Sequence, residues 1–192
     1  MFSIDEEKLN EKIKNVEINV DYASKIIDET VSSYTCHLDT ILAKIYTDII
    51  EPSEPAPIEV IEKYFLTLSN NLYFVGEKVE KLGIYDSISK SVAKEAFNNF
   101  YMSDEISLDE KGKKRTVAEL TALSENASIY EQTVNDIYNK VYKIVKAKIS
   151  SAENMCSALS KILSRRMSEM QLSAMQPATF NERKILNEGE MF

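Results

Sequence analysis

The chain reads as an all-α protein whose long helices form an antiparallel helical hairpin or bundle with coiled-coil character. Three observations predict this. Only 4 Gly and 4 Pro occur among 192 residues, so few turns interrupt the elements. Apolar residues recur at alternating steps of three and four over many turns, the spacing of a coiled-coil seam. Ser3 with Glu6, and Thr116 with Glu119, have capping-box spacing, each just ahead of such a run. A composition that is 44% hydrophobic and 28% charged is too apolar for a disordered chain.

Residues 1–50 read as one long N-terminal helix. Its seam is Leu9, Ile13, Val16, Val20, Ala23, Ile27, Thr30, Tyr34, Leu38, Ile41, Ile45 and Ile49, with no Gly or Pro inside it. About 45 helical residues would measure roughly 68 Å. Residues 51–57, Glu-Pro-Ser-Glu-Pro-Ala-Pro, form a stiff linker, and Pro57 suits the first position of the next helix. Residues 58–102 read as a helical pair: one helix stops at Gly83, with Ile84 as its Schellman contact, and Asp86 caps a shorter one. Residues 103–115 are a loop that turns from acidic to basic. Residues 116–175 form a long C-terminal helix, in which Val134, Ile137, Val141, Ile144, Met155, Leu159 and Ile162 are the seam expected to hold copies together in a homo-oligomer. The tail, 176–192, carries Phe180, Ile185, Leu186 and Phe192, and reads either as a frayed end or as a docking peptide.

The chemistry points away from catalysis. The single histidine, His37, adjoins Cys36, but neighbours on a helix point about 100° apart, so the two are no nucleophile–base pair. One histidine and two distant cysteines, Cys36 and Cys156, have no zinc-ligand spacing. Gly112-Lys113 lacks the other glycines of a phosphate loop. A protein that is not an enzyme, with no metal, no cofactor and no small-molecule substrate, is the expectation. The acidic stretch Met1–Glu7 lacks the apolar segment of a secretory signal, and no run approaches the roughly 20 apolar residues of a membrane span. Those features predict a soluble cytoplasmic protein with reduced thiols and no membrane contact.

Charge is unevenly distributed within the net −8. Residues 1–110 carry 22 Asp/Glu against 10 Lys, whereas residues 111–170 carry 11 Lys/Arg against 6 Asp/Glu. Such asymmetry suggests an anionic partner for the basic part, or head-to-tail self-association. On a helical wheel, Ile144, Ile137, Met155, Val141, Leu159, Val134, Leu163, Cys156, Ile149 and Tyr142 occupy an arc from roughly 40° to 200°, and Lys140, Lys143, Lys146, Lys161 and Arg165 occupy the opposite side. Lys111, Lys113, Lys114 and Arg115 precede them in the loop. Cationic side chains in this number suit the phosphates of single-stranded nucleic acid, with avidity supplied by several subunits. Phe97, Phe100 and Tyr101 read as helix core or as base-stacking groups. Lys148 and Arg166 fall at seam positions, where they line a polar channel or pair with a neighbour's acids.

The segment Lys90-Ser91-Val92-Ala93-Lys94-Glu95-Ala96-Phe97-Asn98-Asn99-Phe100-Tyr101, followed by Asp104-Glu105-Ile106-Ser107-Leu108-Asp109 and then Thr116-Val117, resembles phage recombination mediators of the UvsY type. The resemblance covers about residues 88–165. It implies a ring-like oligomer that binds single-stranded DNA in the host cytoplasm and helps load a RecA-like recombinase. The family's basic Lys-Ala-Arg-Leu segment reads Glu95-Ala96-Phe97-Asn98 here. DNA contact would therefore rest on Lys90, Lys94, the 111–115 cluster and the helical stripe. The alternative is a structural coiled-coil protein, such as a virion component, scaffold or adaptor, with no nucleic-acid role.

Overall fold

The computed structural model describes residues 6–103, 107, 108 and 112–175, with side chains for 13, 14 and 17–174 among them. The Ser3 cap, Lys111 and the 176–192 tail lie outside the described residues. The protein is all-α. Helix α1 spans Glu6–Ile45 and runs into a π-helical turn, Tyr46–Ile50, closed by the Glu51 N–H donating to the Tyr46 carbonyl at 2.8 Å. Helix α2 spans Ile58–Tyr101, α3 spans Val117–Ala127 and α4 spans Ile129–Met175. Among the described residues no strand forms, and a single antiparallel bridge joins Leu108 to Lys114.

Local chemistry accounts for most of the boundaries. The Pro57 carbonyl accepts from the Val60 and Ile61 N–H groups, so the last linker proline opens α2. Thr116 and Glu119 form the expected capping box: the Thr116 hydroxyl accepts from the Glu119 N–H, and the Glu119 carboxylate accepts from the Thr116 N–H at 2.8 Å.

Two expected boundaries are different in the structure. The helical pair at 58–102 is one uninterrupted helix, and Gly83 is not a cap. A Cβ at Gly83 would lie 3.4 Å from the Tyr142 ring, at van der Waals contact, so the ring passes close beside α2 at this glycine. Conversely, the single helix expected over 116–175 is two. Ser128 sits between them at φ −97° and ψ 16°, its hydroxyl donating to the Ser124 carbonyl at 2.8 Å and accepting from Gln132. This side-chain bonding to the preceding turn competes with regular helix geometry and marks the break.

The chain divides into two compact units, each containing part of α1, α2 and the C-terminal helices. Unit 1 comprises residues 1–36 and 74–149; unit 2 comprises residues 37–73 and 150–192. The core of unit 1 is Val31, Val75, Val79, Leu82, Val141 and Val145, flanked by Ile27, Tyr34, Ile137, Tyr138, Tyr142 and Ile144. Unit 2 buries Leu38, Ile45, Ile61, Leu68, Ala152 and Leu159. Along each helix the buried positions follow a seven-residue repeat: Val31, Leu38 and Ile45 on α1; Ile61, Leu68, Val75, Leu82 and Ser89 on α2; Val145, Ala152 and Leu159 on α4. This is the spacing that keeps one stripe facing its neighbours in a coiled coil.

The expected seam of α1 holds at Ile27, Tyr34, Leu38 and Ile45 and differs elsewhere. Val31 and Thr35 are buried where Thr30 was expected, and Ile13 and Val20, expected in the seam, are about half exposed. The α4 seam expected to join copies is partly consumed within the chain. Val141 and Leu159 are fully buried in the single chain, and Ile137 and Ile144 pack on the unit 1 core. Val134 and Ile162 remain exposed and Met155 is half-buried.

Candidate nucleic-acid interface

In unit 1, α2 and α4 are antiparallel, and three polar or aromatic contacts set their register. Ser89 Oγ, which donates to the Asp86 carbonyl at 2.9 Å, lies 3.4 Å from Asn135 Oδ1, Asn139 Nδ2 donates to Asp86 Oδ1 at 3.1 Å, and the Tyr85 and Tyr138 rings stack with centroids 5.9 Å apart. Val141 and Val145 face the core, which turns Lys140, Lys143 and Lys146 outward, and all three are exposed. Residues 137–152 contain four lysines and no acid. Among the described residues, neither Lys140 nor Lys143 forms an ion pair. Lys146 Nζ lies 5.6 Å from the centre of the Tyr142 ring, a cation–π contact that orients the ammonium without neutralising it. The fourth lysine, Lys148, is half-buried and donates to the Thr35 hydroxyl at 3.3 Å within unit 1.

Lys90 and Lys94 are exposed on α2, and by the register above they lie level with the segment of α4 just before Lys140. Phe97 is half-buried and stacks on Tyr101 at 5.9 Å, so that pair serves the helix, while Phe100 is 39% exposed. Tyr130 is 81% exposed.

The basic loop and the far end of α4 are used differently from expectation. Arg115 braces its own loop, its Nε donating to the Leu108 carbonyl at 3.1 Å and its N–H to the Ser107 carbonyl. Lys113 and Lys114 are exposed on the same loop. In unit 2, Arg165 pairs with Glu169 one turn away at 2.9 Å, and Lys161 is exposed. Arg166 donates to the Ala56 carbonyl at 2.9 Å, so this seam cation anchors the linker. Spacing alone did not separate these roles, because two of the partners are backbone carbonyls.

Among the described residues, no group of three or more His, Cys, Asp or Glu could hold a metal ion, and no helix is long and apolar enough to cross a membrane. His37 and Cys36 are exposed, and Cys156 Sγ lies 3.0 Å from Ser69 Oγ in unit 2. The chain matches no family model, no curated protein and no solved structure.

Proposed function

We propose that this chain is a non-enzymatic, oligomeric helical accessory protein that binds single-stranded nucleic acid through the lysine face of α4. The observation that carries the reading is the exposure of Lys140, Lys143 and Lys146 on a stretch without acids, in a chain of net charge −8. The aliphatic side of α4 faces inward, so these ammonium groups face water, and among the described residues none of the three is ion-paired. Lys90 and Lys94 add two further cations in the same unit. Phosphate contacts of this kind are individually weak, and several subunits on one strand would supply the affinity. Strand delivery to a RecA-like recombinase, the role implied by the likeness to UvsY-type mediators, is the extension of this reading.

The test is binding of a fluorescent oligonucleotide across a salt series. Three neutralised phosphates per chain should make log K fall with log salt at a slope of about −2. The Lys140→Glu/Lys143→Glu/Lys146→Glu variant should lose binding while keeping its helical circular dichroism. Absence of binding by the unmodified chain at low salt would end the proposal. The seven-residue burial repeat favours a second reading, a purely structural coiled-coil protein. On that reading the same variant changes assembly and the oligonucleotide is never bound.

A further inference from the structure

The core of unit 1 uses one side of α2: Val75, Val79, Leu82, Ser89 and Ala93 are buried. On the outward side of the same helix, Ile84, Ile88 and Val92 stand in a row at successive one-turn steps, 57%, 55% and 47% exposed. They border an open groove of about 530 Å³ that also includes Gly83, Ser87, Ser91, the edge of Tyr142 and two carboxylates, Glu80 and Glu95. A branched aliphatic row of this length on a helix surface is a contact face that nothing among the described residues of unit 1 covers.

Its flanking charges indicate the occupant. Lys81 lies seven residues before Ile88 and Glu95 seven residues after it, and Ile84 and Val92 lie four residues to either side. About Ile88 the row is therefore self-complementary when reversed. A second α2 laid antiparallel would set Ile88 against Ile88, Ile84 against Val92, and Lys81 against Glu95, with the Lys81–Glu95 pair made twice. This is the arrangement a two-fold isologous contact requires. Lys81 already donates to Glu77 on its own helix at 2.8 Å, and an ammonium has donors to spare for a second carboxylate.

We infer that a second copy of this chain docks on this face, α2 against α2, in an antiparallel two-fold dimer centred on Ile88. The contact is distinct from the α4 seam expected from the sequence, and it needs no nucleic acid. A single helical stripe is smaller than a standard interface, so dissociation in the micromolar range, about 10–100 μM, is expected.

Sedimentation velocity over a concentration series spanning that range, without nucleic acid, tests it. The unmodified chain should pass from monomer to dimer, and Ile88→Asp should raise Kd at least tenfold. Because Ile88 is exposed, that variant keeps its fold, which circular dichroism checks. Lys81→Glu and Glu95→Lys should each weaken the dimer about tenfold, and the double variant should recover to near the original. A chain that stays monomeric throughout overturns the inference and leaves the stripe to another protein. A dimer indifferent to Ile88→Asp, or a double variant that fails to recover, overturns it equally.

Discussion

The two units draw on the same helices but have different interiors. Unit 2 is sealed by aliphatic side chains: Leu38, Ile45, Ile61, Leu68 and Leu159 are each 1% exposed or less. Unit 1 has an aliphatic centre, but farther along α2 and α4 its contacts turn polar, with Ser89 against Asn135 and Asp86 against Asn139. On α2 a single seven-residue series passes from Ile61 and Leu68 to Val75, Leu82 and finally Ser89. Equivalent positions thus change from a dry to a hydrogen-bonded contact along one helix. Aliphatic layers are worth more per residue, whereas a polar layer weakens packing but discriminates between registers. The cationic face of α4 belongs to the unit with the polar contacts.

The sharpest way to break this comparison is to truncate matching positions. Leu68→Ala should cost about 2–5 kcal/mol in urea unfolding, because it empties a fully buried site in unit 2. Ser89→Ala, at the same phase of the same helix, should cost only about 0.5–1.5 kcal/mol. Equal costs would mean that the two interiors do not differ energetically. Next in size, Asn139→Ala removes the donor to Asp86 and leaves a half-buried carboxylate short of a partner. A loss of about 1–3 kcal/mol is expected, with amide exchange in unit 1 as the local readout.

A pH series sharpens the contrast further. Burial, and then the neighbouring Tyr85 and Tyr138 hydroxyls, hold the Tyr34 pKa above the ordinary 10.0. The unfolded chain then ionises first, so the stability due to a neutral Tyr34 is present below pH 10 and is lost as pH climbs through the folded value. Thermal melts above pH 10 should fall less steeply in Tyr34→Phe than in the unmodified chain. The smallest effect is expected at Gly83. Alanine there gains about 1 kcal/mol of helix propensity but meets the Tyr142 ring at 3.4 Å, so the net change should lie within about 1 kcal/mol of zero. A larger loss would show that Tyr142 is rigidly held.

What was legible in the sequence is what local chemistry decides. The helical class, the Pro57 start of α2 and the Thr116–Glu119 cap depend on residues a few positions apart, and all three are present. Gly83 was misleading because its role depends on Tyr142, far along the chain, whose ring passes beside it. The Ser128 break escaped notice because the apolar spacing runs on through it while the side chain bonds backwards. Stripe assignment had the right period but not always the right phase, as Val31 in place of Thr30 shows. Of the candidate cations, Lys140, Lys143 and Lys146 lie opposite the buried residues, as wheel geometry indicates. Arg115 and Arg166 instead bond to backbone carbonyls that no periodicity reveals. The Arg165–Glu169 pair was readable, since partners four apart on a helix face each other.

The Ser69–Cys156 contact has a practical consequence. Of the two thiols, one is half-buried beside a hydroxyl and the other, Cys36, is exposed on α1. A maleimide dye applied briefly at neutral pH would mark Cys36 first, giving a nearly single-site reporter without engineering. Fluorescence from that one position would then test the proposed strand binding and the proposed pairing of copies in the same sample.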